Sequence, residues 1–133
     1  YPFIKQVSVE QLQEQSDIIS LHVPLTAETK YMINDKFISQ CKKEIYIINT
    51  ARGKCLNTAD LVKHLKTGKV KGACLDVHEY ETSSFERLET LPEPFEYLIQ
   101  SDKTILTPHI AGWTHESNRK IAEVLAKKIG QLF

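Results

Sequence analysis

Apolar and polar positions along this chain alternate between a helical period and runs typical of strands. Ser8 is a good N-cap for a polar helix over Val9–Gln15, with Leu12 as its apolar anchor. Asp17–His22 follows as a short β-branched run, ended by Pro24. Asn34 can cap a helix over Asp35–Gln40, and Ile45–Thr50 is an almost wholly apolar strand closed by Ala51, Arg52 and Gly53. Thr58 is expected to cap a helix over Ala59–Lys66, with Leu61, Val62 and Leu65 at helical spacing and Gly68 as the stop. Val70–Asp76 is the next strand. Residues 82–100, with Pro92 and Pro94, read as irregular or short-helical, and Lys103–Leu106 is a further strand terminated at Pro108. Thr114 or His115 opens a long amphipathic helix to about Leu132, with Ile121, Val124, Leu125, Lys128 and Ile129 marking one face.

Strands that are apolar on both sides and alternate with helices predict an α/β fold, a parallel sheet flanked by helices. At 133 residues the chain has the size of one domain. Lys+Arg and Asp+Glu both number 17, so the basic excess of a nucleic-acid binder is missing. No apolar run approaches the roughly 20 residues of a membrane span. Tyr1–Glu10 lacks the pattern of a signal peptide. Cys41, Cys55 and Cys74 are an odd set without metal spacing, which suits reduced thiols in a cytoplasmic protein, and Cys74 reads as a small core residue of its strand. The sequence thus predicts a cytoplasmic protein with no nucleic-acid or membrane partner.

In open parallel sheets ligands bind outside the C-terminal strand ends. Those ends carry His22 to Thr26, then Ala51-Arg52-Gly53, then Asp76 with His78 to Glu81, then Pro108-His109. A cation, a carboxylate and an imidazole on one edge could bind an anionic substrate and move a proton. Each has a plainer reading: Arg52 as a solvated turn residue, Glu81 as one of several solvated acids, His109 as a loop histidine, Asp76 as a turn former. Their coincidence at strand ends favours function. No HExxH, His/Cys metal spacing or GxSxG elbow is present. His78, Glu79 and Glu81 could in principle ligate a metal, but their spacing is not diagnostic, and no metal is expected.

Four segments, Ser16–Thr26, Ile48–Gly53, Gly72–Val77 and Thr107–Gly112, in this order and at these separations, closely resemble the signature segments of the D-isomer-specific 2-hydroxyacid dehydrogenases. The resemblance runs from about Ser8 to the final helix. It implies a Rossmann-type NAD-binding domain and hydride transfer between NAD and the 2-carbon of a 2-hydroxy or 2-oxo acid. By position, His109 resembles the acid/base, Glu81 the carboxylate paired with it, and Arg52 the residue that holds the substrate carboxylate. A carboxylate beside an imidazole favours its protonated form, and a guanidinium offers a planar fork of donors. Asp76 resembles the acceptor of the nicotinamide carboxamide. Val23, Pro24, Thr29, Thr50, Ala51 and Gly112, with Arg52 and His109, fall where the family lines the nicotinamide–ribose half of the cofactor. Thr82 follows Glu81 where the family usually has proline, and Glu79 is the alternative carboxylate.

The glycines are only Gly53, Gly68, Gly72, Gly112 and Gly130, so no GxGxxG is present. The resemblance therefore implies that the pyrophosphate-binding turn lies before Tyr1. Residues 1–113 are then a partial NAD-binding domain, truncated at its N-terminal βαβ unit. Residues 114–133 are a helix leading back to an absent substrate domain. Such a chain is expected to bind NAD weakly or not at all, and its bared sheet edge favours a homodimer. The excursion over 82–100 and Ala111-Gly112-Trp113-Thr114 suggest the phosphoglycerate dehydrogenase-like branch. Glyoxylate/hydroxypyruvate reductase, D-lactate dehydrogenase and a non-catalytic, corepressor-like NAD-binding protein are the alternatives.

Overall fold

A computed structural model describes residues 3–80 and 91–132. Four strands, β1 (Ile18–Leu21), β2 (Ile45–Asn49), β3 (Val70–Leu75) and β4 (Thr104–Leu106), form one sheet in the order β1-β2-β3-β4, all parallel. The α/β expectation holds, because each strand is followed by a helical return. Helix α1 (Val9–Gln15) precedes β1, α2 (Asp35–Gln40) joins β1 to β2, and α3 (Thr58–Thr67) joins β2 to β3. Helix α4 (Glu93–Gln100) precedes β4, and α5 (His115–Gly130) follows it.

The helix starts follow side-chain capping. Ser8 and Gln11 make a reciprocal capping box on α1, and Asn34 accepts from the Phe37 N–H to start α2. The deep residue of α1 is Gln13 rather than Leu12, which is only half-buried. Gln13 donates to the Phe37 carbonyl at 3.1 Å and to Gln40 at 3.3 Å, tying α1 to α2. Helix α3 is capped by Asn57, not Thr58. Asn57 accepts from the Asp60 N–H at 3.0 Å, while the Thr58 N–H donates to Glu79 at 2.8 Å. Gly68 ends α3 in the left-handed conformation, φ 80°. Helix α4 is the short-helical alternative expected within 82–100. Pro94 sits in its first turn, where a missing N–H costs nothing, and Phe95 and Leu98 drive it into the core.

The two faces of the sheet differ. Ile19, Leu21, Ile45, Ile47, Val70, Ala73 and Leu75 pack with Ile38, Leu61, Leu65, Phe95 and Leu98 in the main core. At about 1.5–3 kcal/mol for each large apolar side chain buried, this layer dominates stability. On the opposite face Ile18, Tyr46 and Ile105 are exposed, so the strands are not covered on both sides as their composition suggested. Cys74 lies on this open face and is half-buried, whereas Cys41 and Cys55 belong to the core. Helix α5 buries no residue, and its apolar stripe of Ile121, Val124, Leu125 and Ile129 is exposed. No helix among the described residues is long and apolar enough to cross a membrane.

Candidate functional site

The loops that leave β1, β2, β3 and β4 at their C-terminal ends are stitched to one another. Met32–Asn34 runs beside Cys55–Asn57: Ile33 bridges Leu56, the Ile33 N–H donates to the Cys55 carbonyl at 3.1 Å, and the Asn57 N–H to the Ile33 carbonyl at 2.9 Å. The Tyr31 N–H donates to the Lys54 carbonyl at 2.8 Å, with Tyr31 held at φ 52°. Gly53 lies against the loop after β3. A Cβ added there would stand 1.9 Å from the His78 carbonyl oxygen, so only glycine fits.

Arg52 is the exposed end of a turn set by Asn49, the last residue of β2. Asn49 is fully buried, donates from Nδ2 to the Arg52 carbonyl at 3.1 Å and accepts at Oδ1 from the Ala51 N–H at 3.1 Å. Arg52 Nη1 folds onto the Ala51 carbonyl at 2.6 Å. Ala51 is buried beneath the turn and Thr50 is exposed.

His109 stands on the neighbouring loop in a left-handed conformation, φ 56°, unusual for a residue with a side chain. Asp76 imposes it. The Asp76 carbonyl accepts the His109 N–H at 2.8 Å. Its carboxylate, 5% exposed, accepts from the Thr107 hydroxyl and the Ile110 N–H at Oδ1 and from the Ala111 N–H at Oδ2. Burial opposes ionisation of Asp76. The Thr107 hydroxyl, the Ala111 and Ile110 N–H groups and nearby His109 outweigh it and hold the carboxyl below its ordinary value of 3.8. Because the Asp76 N–H also donates to the Asn49 carbonyl at 2.9 Å, the Arg52 turn and the His109 loop are referenced to adjacent strand ends.

A cleft of about 330 Å³ opens between these ends, lined by Ile48, Thr50, Cys74, Leu75, Asp76, Ile105, Thr107, Ile110 and Ala111. Of the expected residues, Thr50 and Asp76 line it, with Arg52 and His109 on the flanking turn and loop. Val23 packs against the core, and Pro24 and Thr29 form a separate, self-knit loop in which Thr29 donates to the Pro24 carbonyl at 2.6 Å. Gly112 is exposed just beyond Ala111, in open space. Glu81 lies outside the described residues.

The alternative carboxylate, Glu79, is occupied in holding the fold together. One of its oxygens accepts the Tyr31 hydroxyl at 2.8 Å and the other caps α3 through the Thr58 N–H. The hydrogen bond to Glu79, with burial, raises the Tyr31 phenol above its ordinary 10.0. His78 is buried, 3.2 Å from the Thr107 carbonyl and tilted against Phe95. Among the described residues no group of three His, Cys, Asp or Glu side chains could hold a metal. Sequence reasoning assigned no role to Asn49 or Thr107. A polar residue closing an otherwise apolar strand was the one available signal for Asn49.

A parallel α/β sheet with its cleft at the C-terminal strand ends is the arrangement of a nucleotide-binding domain. Residues 2–111 match the family described as D-isomer specific 2-hydroxyacid dehydrogenase, NAD binding domain, and the chain belongs to that family. It is 42% identical over 128 residues to a glyoxylate reductase of Thermofilum pendens, covering 96% of this chain and 35% of that protein. It is 38% identical over 121 residues to a D-lactate dehydrogenase of Lactiplantibacillus plantarum, covering 88% and 36%. Among solved structures, the NAD-complexed D-isomer specific 2-hydroxyacid dehydrogenase of Lactobacillus delbrueckii ssp. bulgaricus superposes with TM-score 0.81 at 33% identity, covering 96% of this chain and 40% of that one. The chain spans about 35% of the length of the curated relatives it matches.

Proposed function

We propose that this chain supplies the catalytic edge of an NAD-dependent dehydrogenase that interconverts D-2-hydroxy acids and 2-oxo acids. The observation that carries the reading is the paired anchoring of the Arg52 turn by Asn49 and of the His109 loop by Asp76, two residues at the ends of the adjacent strands β2 and β3, beside a cleft with one buried carboxylate. The residues present suit a nicotinamide. Ile48, Ile105 and Ile110 offer an apolar wall, and Asp76 Oδ2 takes one N–H from the protein and keeps capacity for another. Thr50, Ala51, Asp76 and Gly112 would hold that half of the cofactor, with Arg52 and His109 bordering it and Val23, Pro24 and Thr29 on the neighbouring loop. Bound NAD supplies the hydride acceptor, and NADH the donor.

The chain's own residues do the rest. Arg52 binds the substrate carboxylate through its donor fork and polarises the 2-oxo group. The imidazole of His109 takes the hydroxyl proton during oxidation and returns it during reduction. Glu81, placed by its motif position, favours the imidazolium.

The glyoxylate reductase and D-lactate dehydrogenase named above and a hydroxypyruvate reductase of Thermotoga maritima (36% identical over 126 residues) act, by their names, on small 2-oxo or 2-hydroxy acids. We therefore favour glyoxylate, hydroxypyruvate or pyruvate as substrate. The phosphoglycerate dehydrogenase-like reading rests on Ala111–Thr114 and the 82–100 excursion alone. In the same reading, residues 1–113 are part of the NAD-binding domain, 114–133 is the helix leading to a substrate domain, and the enzyme is a cytoplasmic homodimer.

The test is loss of NADH absorbance when the purified gene product meets glyoxylate, hydroxypyruvate, pyruvate or 3-phosphohydroxypyruvate. Turnover of at least one, with Arg52→Gln raising KM about tenfold or more, is the expected result. No turnover of any 2-oxo acid would contradict the proposal.

A further inference from the structure

We infer that Asn49 is the positioning residue for Arg52, the part of the substrate-binding machinery that never touches substrate but sets where the guanidinium stands. The inference rests on the dehydrogenase reading, in which Arg52 holds the substrate carboxylate.

Asn49 is the one fully buried polar side chain among the described residues at 0% exposure, in a strand whose other core-facing residues are Ile45 and Ile47. A buried primary amide is unfavourable unless both its ends are satisfied, and packing alone would be served by an aliphatic side chain. Here both ends are used on the same turn: Nδ2 donates to the Arg52 carbonyl and Oδ1 accepts from the Ala51 N–H, each at 3.1 Å. The side chain thus fixes the peptide groups on both sides of the Ala51–Arg52 junction.

The turn is fixed from two further directions. Asn49 pairs with Leu75 in the sheet, and its carbonyl accepts the Asp76 N–H, so the turn is indexed to the strand end from which Asp76 positions His109. On the other side Gly53 is pressed against the His78 carbonyl with no room for a Cβ, which stops the turn sliding toward the β3 loop. The Arg52 backbone is therefore held between an amide clamp and a wall. Only asparagine supplies a donor and an acceptor at this reach. Aspartate would face the Arg52 carbonyl with an oxygen, serine offers one short hydroxyl, and glutamine is a methylene too long.

The experiment is a kinetic cycle on the gene product with wild type, Asn49→Ser, Arg52→Gln and the double variant, using the 2-oxo acid it reduces fastest. Backbone exchange of the Ala51 amide and thermal melting are measured on each. Asn49→Ser is expected to raise KM for the 2-oxo acid about tenfold, to lower kcat much less, and to speed Ala51 exchange while the protein still melts cooperatively. In the Arg52→Gln background the same change should alter KM less than about twofold, because the group it positions is gone. If Asn49→Ser abolishes folding, Asn49→Asp keeps the Ala51 bond and loses the Arg52 bond, and the same cycle is read on it. An unchanged KM in the Asn49 variant beside a raised KM in Arg52→Gln would overturn the inference and leave the dehydrogenase reading standing. So would equal KM effects in both backgrounds. An unchanged KM in Arg52→Gln itself would overturn both.

Discussion

The turn that carries Arg52 leaves β2 and the loop that carries His109 leaves β4, on either side of β3, and each is tied down by one buried polar side chain, yet by different chemistry. Asn49 clamps the first with a neutral amide that does not titrate. Asp76 clamps the second with a carboxylate that gathers one hydroxyl and two backbone N–H groups. Charge-assisted bonds are the stronger kind, and the His109 loop needs them because its residue at φ 56° is costly to hold. The Arg52 turn needs less energy but more definition, and an amide provides direction without a charge to bury. The two halves of the edge should therefore fail independently and under different conditions.

The largest expected effect comes from Asp76→Asn. It removes the charge and points an NH2 at either Ala111 or the Thr107–Ile110 pair. A loss of about 3 kcal/mol in thermal or urea unfolding is expected, with fast exchange at Ile110 and Ala111 and little change at Ala51. Equal loosening of both loops would show that they are one unit.

Gly53→Ala should follow at about 2–3 kcal/mol, since the new methyl meets immobile backbone at His78 and the Arg52 turn must move away. A melting temperature like that of wild type would show that the wall is soft.

Acid separates the two clamps without mutation. The folded-state pKa of Asp76 is depressed, so its contribution is complete above the ordinary value of 3.8 and is lost as pH falls through the lower folded value. Protection of the Ile110 and Ala111 amides from exchange should therefore fall as pH drops below 3.8, before any loss of protection at Ala51. The reverse order would contradict the assignment.

Tyr31→Phe is the smallest change, at about 1 kcal/mol. It removes the Glu79 bond that ties the β1 loop to the β3 loop. Because the Tyr31 phenol is raised above 10.0, that bond contributes fully below pH 10.0 and fades as pH climbs through the folded value. One of the tyrosine signals that titrate above 10.0 should vanish in the variant, leaving that of Tyr80.

Much of this fold was legible in local pattern. Asn34, Gly68 and the β-branched runs act through neighbours a few residues away, and they placed α2, the end of α3 and the strands. What local pattern missed was decided at a distance. Asn57 and Thr58 are both capping residues, and Glu79, far along the chain, settles the choice by taking the Thr58 N–H. Pro92 and Pro94 left 82–100 open between irregular and short-helical structure, and the burial of Phe95 and Leu98, not visible locally, decides for the helix. Cys74 and the open sheet face depended on which side the helices would cover. In the site, the family resemblance put forward Arg52, Asp76 and His109 as candidates. The roles of Asn49 and Thr107 emerged only from their partners across the strands.

The sharpest measurement is deuteride transfer. When the gene product is incubated with a small 2-oxo acid and NADH carrying deuterium at both hydrogens of the nicotinamide 4-position, deuterium is expected at the 2-carbon of the hydroxy acid formed. The label should be sharply reduced in Arg52→Gln and His109→Asn. Reduced acid without deuterium at that carbon, or undiminished transfer in either variant, would contradict the assignment of Arg52 and His109 to the catalytic edge.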